Sequence, residues 1–318
     1  MKSISNKALV SIVIPTHNRR ESLERLLRSA LVSSYTNIEI IVIDDASSDQ
    51  TFEYIKKKFA KNNKIKIFRN KKNLYTAGTR NVGQKKAKGE FVLFIDDDNE
   101  IDPHMIREMV ATFSKDETIG EVGPINYSYA KRNKILWART NRNMWTSKTN
   151  QSRSLTQFRM LDSWSTDDVP NAFMVRRSIV VKNKIYFREE YGIMYEESDY
   201  AYRIRMNGYK IMVVRRAKIF HDVEEYFPDG KVKDYMYHFM NDKRRPFVFA
   251  RNRILFHKLY SSRLQLIIIL GFWVWFFSAY YMYRIISYSG YGNFSILKRI
   301  ELAVSYLRGT FIGIFLIR

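Results

Sequence analysis

Cysteine is absent from all 318 residues. That removes disulfides, zinc–thiolate centres and a thiol nucleophile, and it suits a reducing compartment. Also missing are a Gly-rich phosphate loop of the P-loop or G-x-G-x-x-G kind and any internal repeat. The stretch Met1 to Ala8 is polar and runs straight into a strand-like segment, so no secretory leader is expected. Acid is scarce beside base: 32 Asp and Glu against 54 Lys and Arg give a net charge of +22. Such an excess asks for an anionic partner, whether nucleic acid, anionic lipid headgroups or phosphate-bearing substrates. The length allows one large α/β domain plus an appendage.

Strand and helix patterns alternate over the first hundred residues. Strands are expected at Ala8 to Ile14, Ile38 to Ile43 and Lys64 to Phe68, the first ended by Pro15. Helices are expected at Glu21 to Val32, Gln50 to Ala60 and Ala77 to Ala87, with Leu23, Leu26, Leu27 and Ala30 forming one apolar face. This order predicts βαβ units and a mostly parallel sheet with helices on both faces. Further on, a helix at Pro103 to Ser114 and a strand at Ile119 to Pro124 precede a polar stretch, Tyr127 to Asp167, that reads as a mobile loop region. A strand at Phe173 to Val175, a helix at Glu197 to Met206 and strands at Lys210 to Val214 and Ala217 to Phe220 follow.

The C-terminal third is different. Leu264 to Tyr283 holds twenty residues without a charge, bracketed by Arg263 and Arg284. As a helix it measures about 30 Å, the thickness of a bilayer's hydrocarbon core. Trp273, Trp275, Tyr280, Tyr281 and Tyr283 supply rings favoured at membrane interfaces, and Lys243, Arg244, Arg245, Arg251, Arg253, Lys258 and Arg263 precede them. A basic flank of this kind favours the cytoplasmic side and anionic lipid. Ile296 to Ile317 is apolar but interrupted by Lys298, Arg299, Glu301 and Arg308, as in an interfacial amphipathic helix. The domain boundaries expected are 1–240 for the α/β domain, 241–263 for a basic juxtamembrane segment and 264–318 for membrane-associated helices.

The most telling run is Phe91-Val92-Leu93-Phe94-Ile95-Asp96-Asp97-Asp98-Asn99. Five apolar residues read as a buried strand, and three carboxylates stand at its carboxyl end, where open α/β sheets bind ligands. Three adjacent like charges repel unless a cation neutralises them. Hard divalent ions take oxygen ligands and bridge carboxylates to substrate phosphates. Asp102-Pro103 supplies a helix N-cap and an N1 proline, which accounts for Asp102 but not for the triplet.

Five motifs together resemble the inverting family-2 glycosyltransferases of GT-A fold. Val10-Ser11-Ile12-Val13-Ile14-Pro15-Thr16-His17-Asn18-Arg19 is similar to that family's first strand and nucleotide-facing loop. Val42-Ile43-Asp44-Asp45-Ala46-Ser47-Ser48-Asp49 is similar to its second strand and base-reading aspartate. Asn73 to Gly83 with Arg80-Asn81, then Ala87-Lys88-Gly89-Glu90-Phe91, resembles the approach to the DxD signature, on which Asp96-Asp97-Asp98 falls. Tyr195-Glu196-Glu197-Ser198-Asp199, with Arg203 and Gly208-Tyr209, resembles its acidic base motif.

The resemblance implies a nucleotide-diphosphate sugar donor, held by Pro15, Thr16, Asn18, Arg19, Asp44 or Asp45, Arg80, Asp96 and Asp97. It implies a divalent cation, Mg²⁺ or Mn²⁺, on Asp98 with Asp96 and His221, and Asp222 as an acceptor orienting the imidazole. It places the general base on Glu197. Where the family has Glu-Asp this chain has Glu196-Glu197, which leaves Asp199 as a rival. All three acids equally suit a helix start, whose dipole favours them. Pro170-Asn171-Ala172-Phe173 resembles the acceptor-lining segment, with Trp164 a candidate to stack on a sugar.

The expected activity is metal-dependent, inverting transfer onto a lipid-linked or glycan acceptor at the cytoplasmic membrane face. A polyprenyl-phosphate monoglycosyltransferase is the nearest alternative, and a catalytically inactive transferase-like scaffold a remoter one. A nucleic-acid partner is not expected: the basic residues gather beside the apolar tail and no nucleic-acid motif is present. Oligomeric state is not legible.

Overall fold

The computed structural model describes residues 8–222, 236–290 and 294–315. Its first strands and helices alternate: β1 (Val10–Thr16), α1 (Arg20–Leu31), β2 (Ile38–Asp44), α2 (Thr51–Lys58), β3 (Ile65–Arg69), α3 (Tyr75–Lys86) and β4 (Phe91–Ile95). Then come β5 (Asn99–Ile101), α4 (Met105–Phe113), β6 (Ile119–Ser128), β7 (Ile135–Trp137), β8 (Arg139–Asn143), β9 (Lys148–Ser152) and β10 (Ser163–Ser165). The sheet's last pieces are β11 (Ala172–Arg176), α5 (Arg177–Lys182), α6 (Glu196–Met206) and β12 (Lys210–His221).

The strands lie in the order β10-β12-β6-β11-β4-β1-β2-β3. β3, β2, β1 and β4 are parallel, β11 inserts antiparallel between β4 and β6, and β6 and β12 are parallel again. Successive residues of β1 feed opposite faces: Val10, Ile12 and Ile14 pack with Leu23, Leu26 and Met109, whereas Val13 packs with Phe94, Phe173 and Tyr200. A sheet covered on both faces explains why the strands read as unbroken apolar runs.

Two antiparallel pairings position the site. β11 runs against β4 with Ala172 opposite Ile95, so Asn171 O accepts from Asp96 N (3.1 Å) just past the strand ends. The end of β12 runs against β5 with His221 opposite Asn99, which brings the imidazole beside Asp98.

Several sequence expectations need correction. α4 starts at Met105, because Asp102 Oδ1 accepts from His104 N (2.9 Å) in a local turn instead of capping a helix at Pro103. The stretch from Tyr127 to Asp167 is not a loop: it carries β7, the β8–β9 hairpin and β10, anchored by buried Trp137 and Trp164. The two strands expected after Lys210 are one strand with a bulge between Val214 and Lys218.

Compactness divides the chain into two units, one of residues 1–141, 151–192 and 196–223, the other of 142–150, 193–195 and 224–318. The second contains α7 (Met236–Asn241), α8 (Arg244–Tyr260), α9 (Arg263–Ile268), α10 (Val274–Ile286) and α11 (Ile296–Phe315). α9 and α10 join through a π turn at Ile269–Trp273 into one helix of 24 residues, Arg263–Ile286, long and apolar enough to cross a membrane. Phe272, Trp275, Phe276 and Tyr283 on it are exposed, as are Leu297, Val304, Phe311 and Phe315 on α11. α11 also lies close along α8, with Gly309 over the Phe247 carbonyl. Within this unit Asn252 Nδ2 donates to Ile193 O and Met194 O (2.9 and 2.8 Å), and His257 sits between Ser147 and Ser261.

Candidate active site

Two cation-centred clusters of acids meet where β1, β4 and β12 end. The first is built on Asp97 and Asp98, both buried. Thr16 Oγ1 donates to Asp97 Oδ2 (2.6 Å), and Arg19 Nη1 bridges Asp97 Oδ1 (3.0 Å) and Asp98 Oδ2 (2.9 Å). His221 Nε2 lies 3.5 Å from Asp98 Oδ1, which also accepts from Asn99 Nδ2 (3.1 Å). The two carboxyls are driven apart in acidity. Burial pushes Asp97 up to about 7, against the pull of Arg19 and with the push of the Asp98 charge. Burial opposes ionisation of Asp98 too, but His221 and Arg19 outweigh it and bring its carboxyl down to about 2. His221 in turn is raised: burial disfavours its charge, and Asp98 overrides burial.

The second cluster surrounds Arg80, whose guanidinium is fully buried. Its Nη2 donates to Asp96 Oδ1 (2.6 Å) and Glu197 Oε1 (2.8 Å), and Nη1 lies 3.7 Å from Glu196 Oε1. The Phe173 and Phe187 rings lie 5.9 and 5.4 Å from the guanidinium carbon. Glu197 Oε1 also accepts from Asn171 N (3.0 Å). Three acids around one arginine leave excess negative charge in a dry place. Burial, with the Glu197 charge added, pushes Glu196 up to about 8, and burial also raises Glu197 while Arg80 holds it back.

The loops after β1 and β2 are stitched together. His17 Nδ1 meets Asp45 O (2.8 Å), Asn18 N donates to Ser47 Oγ (2.9 Å), and Asn18 Oδ1 accepts from Ser48 N (2.7 Å). Asn18 and Ala46 take left-handed φ of 54° and 56°, the bends that let the loops face each other. Asp45 Oδ1 is held by Asn70 Nδ2 and Leu74 N, both 2.8 Å away. Asp44 lies beneath, its Oδ2 3.3 Å from Arg69 Nε and its Oδ1 buried without a hydrogen-bond partner among the described residues. Burial raises the Asp44 carboxyl.

The geometry thus gathers Thr16, Arg19, Asp97, Asp98 and His221, and separately Arg80, Asp96 and Glu197. It does not bring Asp96 to the Asp98–His221 pair, because Arg80 claims it. Asp199 is apart from both clusters: fully buried, it accepts from Arg203 Nε (2.9 Å) and Nη2 (2.6 Å) and lies 3.1 Å from Arg188 Nε. Asp222 pairs with Arg25 (2.7 Å). Trp164 is core, stacked on Phe158 with centroids 4.3 Å apart and its Nε1 donating to Ala138 O (2.9 Å), so no sugar reaches its face.

Two features escaped the sequence reading. Asn99 and Asn171 exchange amide hydrogen bonds of 2.8 Å in both directions, locking the turn after β4 to the residue that holds Glu197. Asn171 carries a φ of 75°, strain of the kind concentrated at functional sites. The signal was the asparagine following the acidic triplet. The other feature is the twofold bridge of Arg19, which no spacing rule announces.

For a divalent cation, Asp98 and His221 offer one carboxylate and one imidazole, a mixed O/N pair that suits Mn²⁺ better than Mg²⁺. Among the described residues no three His, Asp or Glu side chains converge to hold a cation unaided. That fits a cation completed by phosphate oxygens and water.

The family model described as Glycosyl transferase family 2 matches residues 11–183. A UDP-Glc:alpha-D-GlcNAc-diphosphoundecaprenol beta-1,3-glucosyltransferase of Escherichia coli is 40% identical over 91 residues, 29% of this chain and 36% of that protein. A GalNAc(5)-diNAcBac-PP-undecaprenol beta-1,3-glucosyltransferase of Campylobacter jejuni is 38% identical over 93 residues, 29% of this chain and 30% of its own. The chain thus matches about a third of the length of these relatives. A mannosyltransferase from Pyrobaculum calidifontis, solved with GDP-Man and Mn²⁺, superposes at a TM-score of 0.61 over 99% of this chain and 89% of that one, at 14% identity, a likeness of fold.

Proposed function

Because this chain belongs to glycosyl transferase family 2, we propose that it is a metal-dependent inverting glycosyltransferase. It would move a sugar from a nucleotide-diphosphate donor to a lipid-linked acceptor at the cytoplasmic face of a membrane. The observation that carries this reading is the placement of Glu197. One carboxylate oxygen takes Asn171 N and Arg80, and the side chain stands a fifth exposed between the Asp96 end of β4 and open solvent. A carboxylate so held, with its acidity weakened by burial, is suited to accept a proton from an acceptor hydroxyl.

In this reading the loops after β1 and β2 cradle the nucleotide, with Thr16 and Asn18 lining it and Asp44 or Asp45 reading the base. Asp98 and His221 hold the divalent cation, which when bound neutralises charge on the leaving diphosphate. Asp96 and Arg80 border the sugar, Arg80 keeping Glu197 oriented. One base and one displacement invert the anomeric centre. Two features support a lipid-linked acceptor: the undecaprenol-linked acceptors named for the two relatives and the exposed apolar helix Arg263–Ile286.

A donor panel with the full chain in detergent, Mn²⁺ and a lipid-linked acceptor extract tests the reading. Nucleoside diphosphate release is expected from one donor, with Glu197→Gln lowering turnover about 10³-fold and Asp98→Asn abolishing the Mn²⁺-supported release. Transfer to a bare polyprenyl phosphate would move the acceptor to the monoglycosyltransferase alternative. Turnover unaffected by Glu197→Gln would remove Glu197 as the base.

A further inference from the structure

We propose that Arg19 is a built-in counter-cation of the Asp97–Asp98 pair that opposes divalent-cation binding until the donor arrives, and that it then transfers to the donor diphosphate. This rests on the reading of Asp98 and His221 as the metal-holding pair.

One guanidinium nitrogen, Arg19 Nη1, lies 3.0 Å from Asp97 Oδ1 and 2.9 Å from Asp98 Oδ2. It therefore covers an oxygen of Asp98 on the side away from His221, whose Nε2 faces Oδ1. Two buried carboxyls side by side favour positive charge near them, and Arg19 reaches both while His221 faces Asp98. A divalent ion on Asp98 would stand within a few ångströms of that guanidinium. Charges of like sign at that separation and depth repel, so each weakens the other's hold on the carboxylate pair.

Arg19 is built to leave. Its side chain is a quarter exposed, while both partners are only 6% exposed. It is the N-cap of α1: its carbonyl accepts from Leu23 N (3.0 Å), while its side chain makes no capping bond to the helix. A change of rotamer there leaves the backbone bond to α1 in place. An arriving diphosphate offers what it needs next, since guanidinium binds phosphate oxygens in bidentate fashion. Each cation keeps an anionic partner: the metal would take the carboxylate, and the arginine the phosphate. Metal and donor must then bind synergistically, each favouring departure of Arg19 from the acids.

The test is a Mn²⁺ titration followed by electron paramagnetic resonance of the free ion, on the full chain in detergent. It compares wild type, Arg19→Gln and Arg19→Lys, each without nucleotide and with UDP or GDP. Without nucleotide, Arg19→Gln is expected to bind Mn²⁺ about tenfold tighter than wild type, with Arg19→Lys between them. With the nucleoside diphosphate, wild type tightens and Arg19→Gln tightens less. Mn²⁺ binding by Arg19→Gln that equals or falls below wild type, in protein with unchanged circular dichroism, overturns the gate but leaves the metal site standing. Mn²⁺ bound by none of the three under any condition overturns both.

Discussion

Glu197 and Asp199, two positions apart, illustrate how much a single side chain's surroundings decide. Asp199 closes the base motif, two residues after Glu197, and competes with it on sequence grounds alone. In the fold it is a structural anion, wholly buried between Arg188 and Arg203. Removing its charge takes away the buried carboxylate that two arginines share, a change costing about 3–5 kcal/mol. Asp199→Asn should therefore lower the denaturation midpoint sharply, whereas Glu197→Gln should lower turnover about 10³-fold in protein that melts near wild type. The reverse pattern in paired melting and turnover measurements would return Asp199 to the base role. Glu196 makes a separate prediction. Burial beside Glu197 holds its carboxyl at about 8, so the native state keeps a proton that the unfolded chain releases near its ordinary value of 4.5. Stability from this group is fully present below the unfolded value and is lost as pH rises through 8. In Glu196→Gln the fall of unfolding free energy between pH 5 and pH 8 should shrink by about one proton, or about 1.4 kcal/mol per pH unit. Urea titrations across that range check it, and an unchanged slope would mean Glu196 is ionised in the native state.

At the scale of elements, close approaches rather than propensities set the arrangement. A Cβ on Gly309 would lie 2.2 Å from the Phe247 carbonyl oxygen, so α11 can meet α8 there only through glycine. Gly309→Leu should pry the two helices apart at a cost of about 1–3 kcal/mol, seen as a lower melting temperature of the full chain in detergent. A melting temperature equal to wild type would mean the crossing is not held as drawn. The same contrast between local and distant information governs what the sequence made legible. Parallel strands covered on both faces are unbroken apolar runs, so β1, β2 and β4 could be read within two residues of their ends, and the acids at those ends marked the site. The region from Tyr127 to Asp167 misled because its strands are short and polar. β9, Lys148–Ser152, is almost wholly exposed and gains its order only by pairing with β8. Trp164 misled for the related reason that an aromatic beside a binding segment looks the same whether it faces a sugar or Phe158. The Arg80 and Arg19 clusters join residues 117 and 79 positions apart, and no spacing carries such contacts.

At the scale of the molecule, the charge of +22 and the apolar C-terminal helices would reach the membrane of the proposed function by two routes that respond differently to salt. Attraction between basic side chains and anionic lipid is screened when the Debye length falls from about 10 Å at 0.1 M to about 3 Å at 1 M salt. Burial of apolar side chains in the bilayer is not weakened that way. The exposed rings Phe272, Trp275 and Phe276 lie on a helix of which 17% of the apolar window is buried by protein. They are the surface that a bilayer would cover. Vesicles containing anionic lipid should therefore retain the full chain in 1 M salt. The triple change Phe272→Ser, Trp275→Ser and Phe276→Ser should leave binding in low salt but make it salt-sensitive, as measured by vesicle co-sedimentation. Release of the wild-type chain by salt alone would mean that its charge, and not the helix Arg263–Ile286, makes the attachment. The acceptor would then have to be drawn from a surface the protein only visits.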